Sequence, residues 1–115
     1  MVSEGVPERG DIVWLDFDPQ AGREQAGRRP ALVLSILAYN RKVGLMLCCP
    51  ITSKVKGYPF EVPLPDGLSI AGVVLSDQVR NFDWRARNAT VTAQVPESVV
   101  QSVCQLIETL WEPAS

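Results

Sequence analysis

Residues 11–17 read Asp-Ile-Val-Trp-Leu-Asp-Phe. Ile12, Trp14 and Asp16 alternate with Val13, Leu15 and Phe17, the period of two imposed by a half-buried strand, and the β-branched and aromatic content favours strand over helix. This segment opens the domain. Asp18-Pro19 then begins a polar run to Arg29 with two glycines and no periodicity, which predicts a long exposed loop. Loops of that length in a compact domain are more often functional than not.

Pro30 can start a strand but not sit centrally within one, so residues 31–35 (ALVLS) are predicted as the next strand, with Arg29 at the loop-to-strand junction. Residues 36–42 predict one helical turn before Gly44. LMLCCPI (45–51) is an apolar run too short for a helix, and Thr52 and Ser53 follow at its carboxyl end. A second polar loop, TSKVKGYP, leads into FEVPL; AGVVLS (71–76) is a further core strand, and weaker strand candidates flank Asn81 and Thr90. Pro96 suits the first helical position, and Val99, Val103, Leu106, Ile107 and Leu110 recur at helical spacing along one face. The expectation is one mainly β domain over 1–115: a small, strongly bent antiparallel barrel or sandwich with a C-terminal amphipathic helix, without linker or internal repeat.

Composition bounds the function. Hydrophobic residues make up 46% of the 115 and charged residues 21%, the balance of a soluble globular domain. The opening MVSEGVPERGD lacks the basic start and apolar run of a secretory signal, and no stretch has membrane-spanning length, so a cytoplasmic protein without membrane contact is expected. Histidine is absent, and three cysteines, two of them adjacent at Cys48 and Cys49, show no metal-ligand spacing. No disulfide frame, zinc site or cofactor is expected.

The net charge of −2 argues against a nucleic-acid partner, but its distribution does not. Between residues 23 and 87 stand ten Lys/Arg against five acids, a local charge of +5; the flanks carry Arg9 alone against eight acids, a charge of −7. The middle of the chain is therefore basic and the ends acidic, although solvated charges on unrelated faces would give the same count.

GREQAGRRPALVLS (22–35), PITSKVKGYPFEV (50–62), SDQV (76–79) and WRAR (84–87), in that order, resemble the MazF/PemK family of toxin endoribonucleases, and the likeness runs from VPERGDIVWLDFDP onward. The resemblance implies an SH3-like barrel, a homodimer with single-stranded RNA (mRNA) lying in a groove across both subunits, and a MazE-like antitoxin whose acidic disordered tail occupies that groove. It also places the family's catalytic arginine at Arg29 and its catalytic threonine at Thr52. The residues agree independently: two loops rich in Arg, Lys, Ser and Thr beside aromatic rings offer cations for phosphates, ring faces for unstacked bases and amides for base edges.

Cutting RNA without a metal normally means attack by the ribose 2′-hydroxyl on the adjacent phosphorus. That step needs a proton acceptor, a donor for the leaving 5′-oxygen and stabilisation of the phosphorane. Histidine would be the usual acid and base, and this chain has none. Arg29 can bind two phosphoryl oxygens at once and is better suited to stabilising charge than to shuttling protons. Thr52 can donate its hydroxyl to a nonbridging oxygen, and Glu24 serves either as base or as orienting partner of Arg29. The plainer alternatives are an Arg29–Glu24 surface pair and a strand-end hydroxyl capping a turn.

For RNA binding the candidates are Phe17 and Gln25 from the first loop, Ser53 and Lys56 from the second, and Asp77 and Gln78 from SDQV. Arg28 keeps a cation where some relatives carry histidine. Arg85 and Arg87 alternate with Ala86 and so share a strand face, for phosphates or for a dimer partner. Trp14 and Trp84 are assigned to the core or to dimer contacts. The loop PLPDGLSIAG (63–72) differs in relatives and is expected to alter which sites are cut or how an antitoxin docks, and to leave the core chemistry alone; the likeness in the two polar loops implies a short cut site of the ACA kind. Two other readings remain: a CcdB-like toxin that poisons gyrase through its C-terminal helix, for which the Glu24, Arg29 and Thr52 set would be superfluous, and a noncatalytic RNA-binding module that would tolerate Arg29→Ala.

Overall fold

The computed structural model describes residues 5–17 and 27–112. Seven strands, β1 (Asp11–Asp16), β2 (Arg28–Val33), β3 (Leu45–Thr52), β4 (Glu61–Pro63), β5 (Val73–Leu75), β6 (Arg80–Asp83) and β7 (Thr90–Gln94), are joined by α1 (Leu37–Val43), a 3-10 turn (Ser76–Gln78) and α2 (Glu97–Glu108). All pairings are antiparallel. The path runs β4-β5-β3-β2-β1-β7, with β6 on β3, and among the described residues no ladder closes it. The protein is thus the expected mainly β structure with a C-terminal helix, in an unclosed version of the barrel.

Alternation along the central strands sorts the core into two layers. Val13, Leu15, Phe17, Ala31, Val33, Met46 and Cys48 share one layer with Phe82 and Trp84; Ile12, Leu32, Cys49 and Ile51 share the other with Val62, Val74 and the α2 residues Val100, Val103 and Ile107. Both faces of β1–β2–β3 are therefore covered, which holds the strand ends in place. The α2 stripe is centred on Val100, Val103 and Ile107, whereas Val99 and Leu106 are partly buried and Leu110, 49% exposed, lies beyond the last helical residue. Pro96 is the N-cap, one position earlier than the sequence suggested.

Strand β2 begins at Arg28, not at Ala31. Arg28, Arg29 and Pro30 pair with Asp16, Leu15 and Trp14, while β3 pairs with β2 only over residues 31–33. At Pro30 the strand has a single neighbour, the setting in which a residue without an N–H is tolerated. Just beyond the hairpin ladder, Phe17 N–H donates to Gly27 O at 2.9 Å.

Asn40, fully buried in α1, ties four parts of the chain together. Its amide donates to Pro7 O (2.8 Å) and Ser35 O (3.1 Å), its Oδ1 accepts from Ser35 Oγ (2.6 Å), and its carbonyl accepts from the Trp84 indole at 2.9 Å. Trp84, for which core and dimer roles were both open, belongs to the core. The α1 helix runs seven residues and closes at Gly44, whose φ of 80° suits the left-handed cap. No helix among the described residues is long and apolar enough to cross a membrane.

Candidate functional site

The paired strands β2 and β3 carry the two residues on which the chemistry was placed. Their ladder includes Ala31 opposite Pro50; Arg29 stands two residues before the first and Thr52 two residues after the second. Both therefore lie at the same end of adjacent, doubly covered strands.

Two hollows open there. One, of about 370 Å³, is lined by Arg28, Arg29, Pro30, Ile51 and Ser53, with half-buried Trp14 and residues 69–71 forming the rest of its wall. The other, of about 610 Å³, is lined by Thr52, Lys54, Lys56, Tyr58, Asp77 and Gln78, among others. Strand alternation accounts for this partition, because Ile51 and Ser53 face one hollow and Thr52 faces the other. The Thr52 hydroxyl oxygen accepts from Lys54 N–H at 3.1 Å, so it caps a turn and keeps its own hydrogen for a further acceptor.

The loop after β3 is fixed in shape. Glu61 accepts from the backbone N–H groups of Lys56 (3.1 Å to Oε2) and Gly57 (3.0 Å), and Tyr58 donates its hydroxyl to Asp77 Oδ2 at 2.9 Å. Among the described residues neither lysine ammonium is paired with a carboxylate. Two cations, a hydroxyl and an exposed tyrosine ring around one open hollow form a surface suited to a phosphodiester and its bases. Among the described residues no three His, Cys, Asp or Glu side chains gather to hold a metal ion.

The comparisons with known proteins bear on this geometry. Residues 8–110 match the family model of the PemK-like, MazF-like toxin of type II toxin-antitoxin systems. The chain belongs to that family. It is 51% identical over 110 residues to the endoribonuclease toxin MazF of Escherichia coli K12, with 96% of this chain and 98% of the relative covered. Among solved structures it is similar to MazF from Deinococcus radiodurans (TM-score 0.88, 55% identity, covering 91% of this chain and 96% of the other). It is also similar to a chain of a MazE–MazF structure from the same organism (TM-score 0.84, 53% identity, 95% and 98% covered).

Within this PemK/MazF-family chain, the structure brings Arg28, Arg29 and Ser53 to the smaller hollow and Thr52, Lys56, Asp77 and Gln78 to the larger. Glu24 and Gln25 lie outside the described residues. Arg28 is already engaged: it bonds Asp16 Oδ1 (3.0 Å), Asn88 O (2.9 Å) and Thr90 Oγ1 (3.1 Å), while Asn88 donates to Asp16 Oδ2 at 2.8 Å. The bond from Asn88, then that from Arg28, holds the Asp16 carboxyl below the usual carboxylate range.

Two expectations are corrected. Phe17 is 1% exposed and packs edge-on against Phe82 (centroids 5.1 Å apart), so it offers no face on which a base could stack. Arg85 and Arg87 share no strand face, because β6 ends at Asp83 and residues 84–88 form turns. Asp83 Oδ1 accepts from the N–H groups of Arg85 (3.1 Å) and Ala86 (2.9 Å); Arg85 then lies over the Trp84 ring at 4.3 Å and Arg87 over Phe82 at 4.9 Å. Sequence reasoning missed Lys54, Tyr58 and Glu61, although all three stand in or beside the quoted TSKVKGYPFEV string, and it assigned Trp14 to other contacts.

Proposed function

We propose that this chain is a sequence-specific endoribonuclease toxin that cuts single-stranded mRNA without a metal ion, by transesterification at the ribose 2′-hydroxyl. The observation that carries this reading is the placement of Arg29 and Thr52 at the same end of paired strands between two hollows, in a chain of a toxin family whose relatives include endoribonucleases.

In this reaction the 2′-oxygen forms a bond to phosphorus while the P–O5′ bond breaks, leaving a 2′,3′-cyclic phosphate and a free 5′-hydroxyl. The Arg29 guanidinium pairs with two phosphoryl oxygens and stabilises the charge of the phosphorane. Thr52, its oxygen held by Lys54 N–H, directs its hydroxyl hydrogen to a nonbridging oxygen. Glu24 is the candidate acceptor of the 2′-hydroxyl proton, and the leaving 5′-oxygen takes up a proton from solvent to become the 5′-hydroxyl. Lys54 and Lys56, with Ser53, Asp77 and Gln78, bind the flanking nucleotides, and Tyr58 offers a ring edge; Arg28, which lines the smaller hollow, Arg85, Arg87 and Gln25 are further candidates for RNA contact. Cleavage of mRNA inhibits translation and growth in the cytoplasm.

The active form is a homodimer whose RNA groove crosses both subunits. A MazE-like antitoxin neutralises it by laying an acidic segment, disordered until bound, along the basic centre of the chain. Solved MazE–MazF complexes of similar chains support that partner.

The test is incubation of the purified protein with a long single-stranded RNA in the presence of EDTA, followed by mapping of fragment ends. Recurrent cuts at one short sequence, cyclic phosphate on one product, and slowing of both by orders of magnitude in Arg29→Ala and Thr52→Ala are expected. Intact RNA with a folded wild type would overturn the proposal.

A further inference from the structure

We infer that Gly72 is a positioning residue for Thr52, an inference resting on the reading of Thr52 as a catalytic residue. Gly72 has a φ of +129°, and a Cβ built there would lie 2.2 Å from Thr52 O, 2.8 Å from Thr52 C and 3.1 Å from Ser53 Cα. All three obstacles are backbone atoms, which cannot swing aside as a flexible side chain would. The chain at residue 72 is also held from behind, since Gly72 O accepts from Leu64 N–H at 3.0 Å, and the next residue, Val73, pairs with Thr52.

Gly72 is thus wedged between the start of the β4–β5 connection and the carbonyl of Thr52. The residues just before it, 69–71, wall the hollow that holds Arg29. One short segment therefore encloses Arg29 and braces Thr52. Segment 63–72, expected from sequence to stand apart from the core chemistry, ends against the catalytic strand. Any side chain at 72 displaces the peptide between Thr52 and Ser53, and with it the turn in which Thr52 Oγ1 accepts from Lys54 N–H.

The experiment is a double-mutant cycle on cleavage of a long single-stranded RNA, with wild type, Gly72→Ala, Thr52→Ala and the double variant, alongside amide exchange of Lys54. Gly72→Ala is expected to lower kcat by roughly tenfold or more with KM within about twofold, since small misplacements of reacting groups are costly. In the Thr52→Ala background the same change should add less than about twofold, because coupled residues are not additive. Lys54 N–H should exchange faster in Gly72→Ala. Equal losses in both backgrounds, or unchanged kcat and exchange, would overturn the inference.

Circular dichroism checks folding. If Gly72→Ala does not fold, Ala71→Gly, which adds no atom and loosens the approach to the contact, should lower kcat and speed Lys54 exchange; no change in either overturns the inference. If the wild type leaves RNA intact, the ribonuclease reading fails by itself, and Lys54 exchange still decides whether Gly72 sets the Thr52 turn.

Discussion

The Tyr58 hydroxyl donates to Asp77 Oδ2 at 2.9 Å and so fastens the loop after β3 to the turn before β6. That bond, and then the charge of Asp77, pushes the Tyr58 pKa up. A raised value means that the fold favours the protonated phenol. The stabilisation is complete below the ordinary tyrosine range, about 10, and is lost as pH rises through the elevated value. Absorbance titration of tyrosinate should show a late component that Asp77→Asn moves to lower pH. Tyr58→Phe should raise the KM for RNA about threefold, the scale of one lost hydrogen bond, with kcat little changed.

Under the proposed mechanism, Arg29→Lys keeps the charge and loses the two-pronged contact with phosphate. Its kcat should fall by about 10²-fold, against about 10³-fold for Arg29→Ala, on the scale of removing a preorganised electrostatic group. Single-turnover cleavage rates measure both. Similar rates for Arg29→Lys and wild type would show that charge alone suffices.

Asn40→Ala should destabilise the fold by about 2–3 kcal/mol, because Pro7 O and Ser35 O lose a buried donor together. Urea denaturation followed by tryptophan fluorescence checks this. A loss below about 0.5 kcal/mol would mean that water replaces the amide.

Arg9 meets Glu97 at 2.7 Å, and the bond depresses the Glu97 carboxyl. A depressed value places the stabilisation above the ordinary glutamate range, to be lost as pH falls through the folded value. Melting temperatures of wild type and Glu97→Gln should therefore differ at neutral pH and converge toward pH of about 3. A constant gap across that range would exclude the ion pair as its source.

Burial pushes the Cys48 thiol up to about 12, and Cys49 is raised by burial and by its neighbour; both are closed to solvent. Cys104 is half-buried. Iodoacetamide at a pH of about 8 should add one label to the native protein and three in urea, by mass spectrometry. More than one label on the folded protein would reveal opening of the central strands.

The end of β3 was legible because Thr52 closes an apolar run, whereas the start of β2 was not: Arg28, Arg29 and Pro30 are drawn into the strand by pairing with Asp16, Leu15 and Trp14, which the local pattern does not show. Phe17 shows the cost of setting alternation aside: it has the parity of Val13 and Leu15, and the inward layer outweighed its place beside a polar loop. At Arg85 and Arg87 an apparent two-residue period was a turn, and the cue was Asp83 ahead of it, with Asn88 at a φ of 56°. Asn40 and Gly72 were not legible, since a buried amide and a missing Cβ are explained only by partners far along the chain.

The bond from Phe17 N–H to Gly27 O closes the first hairpin before residues 18–26 begin. That bond and the ladder below it are made wholly by residues 11–17 and 27–33. The strand bearing Arg29 therefore takes its register from its own pairing with β1, and the arginine is aimed by the same bonds that hold the sheet together.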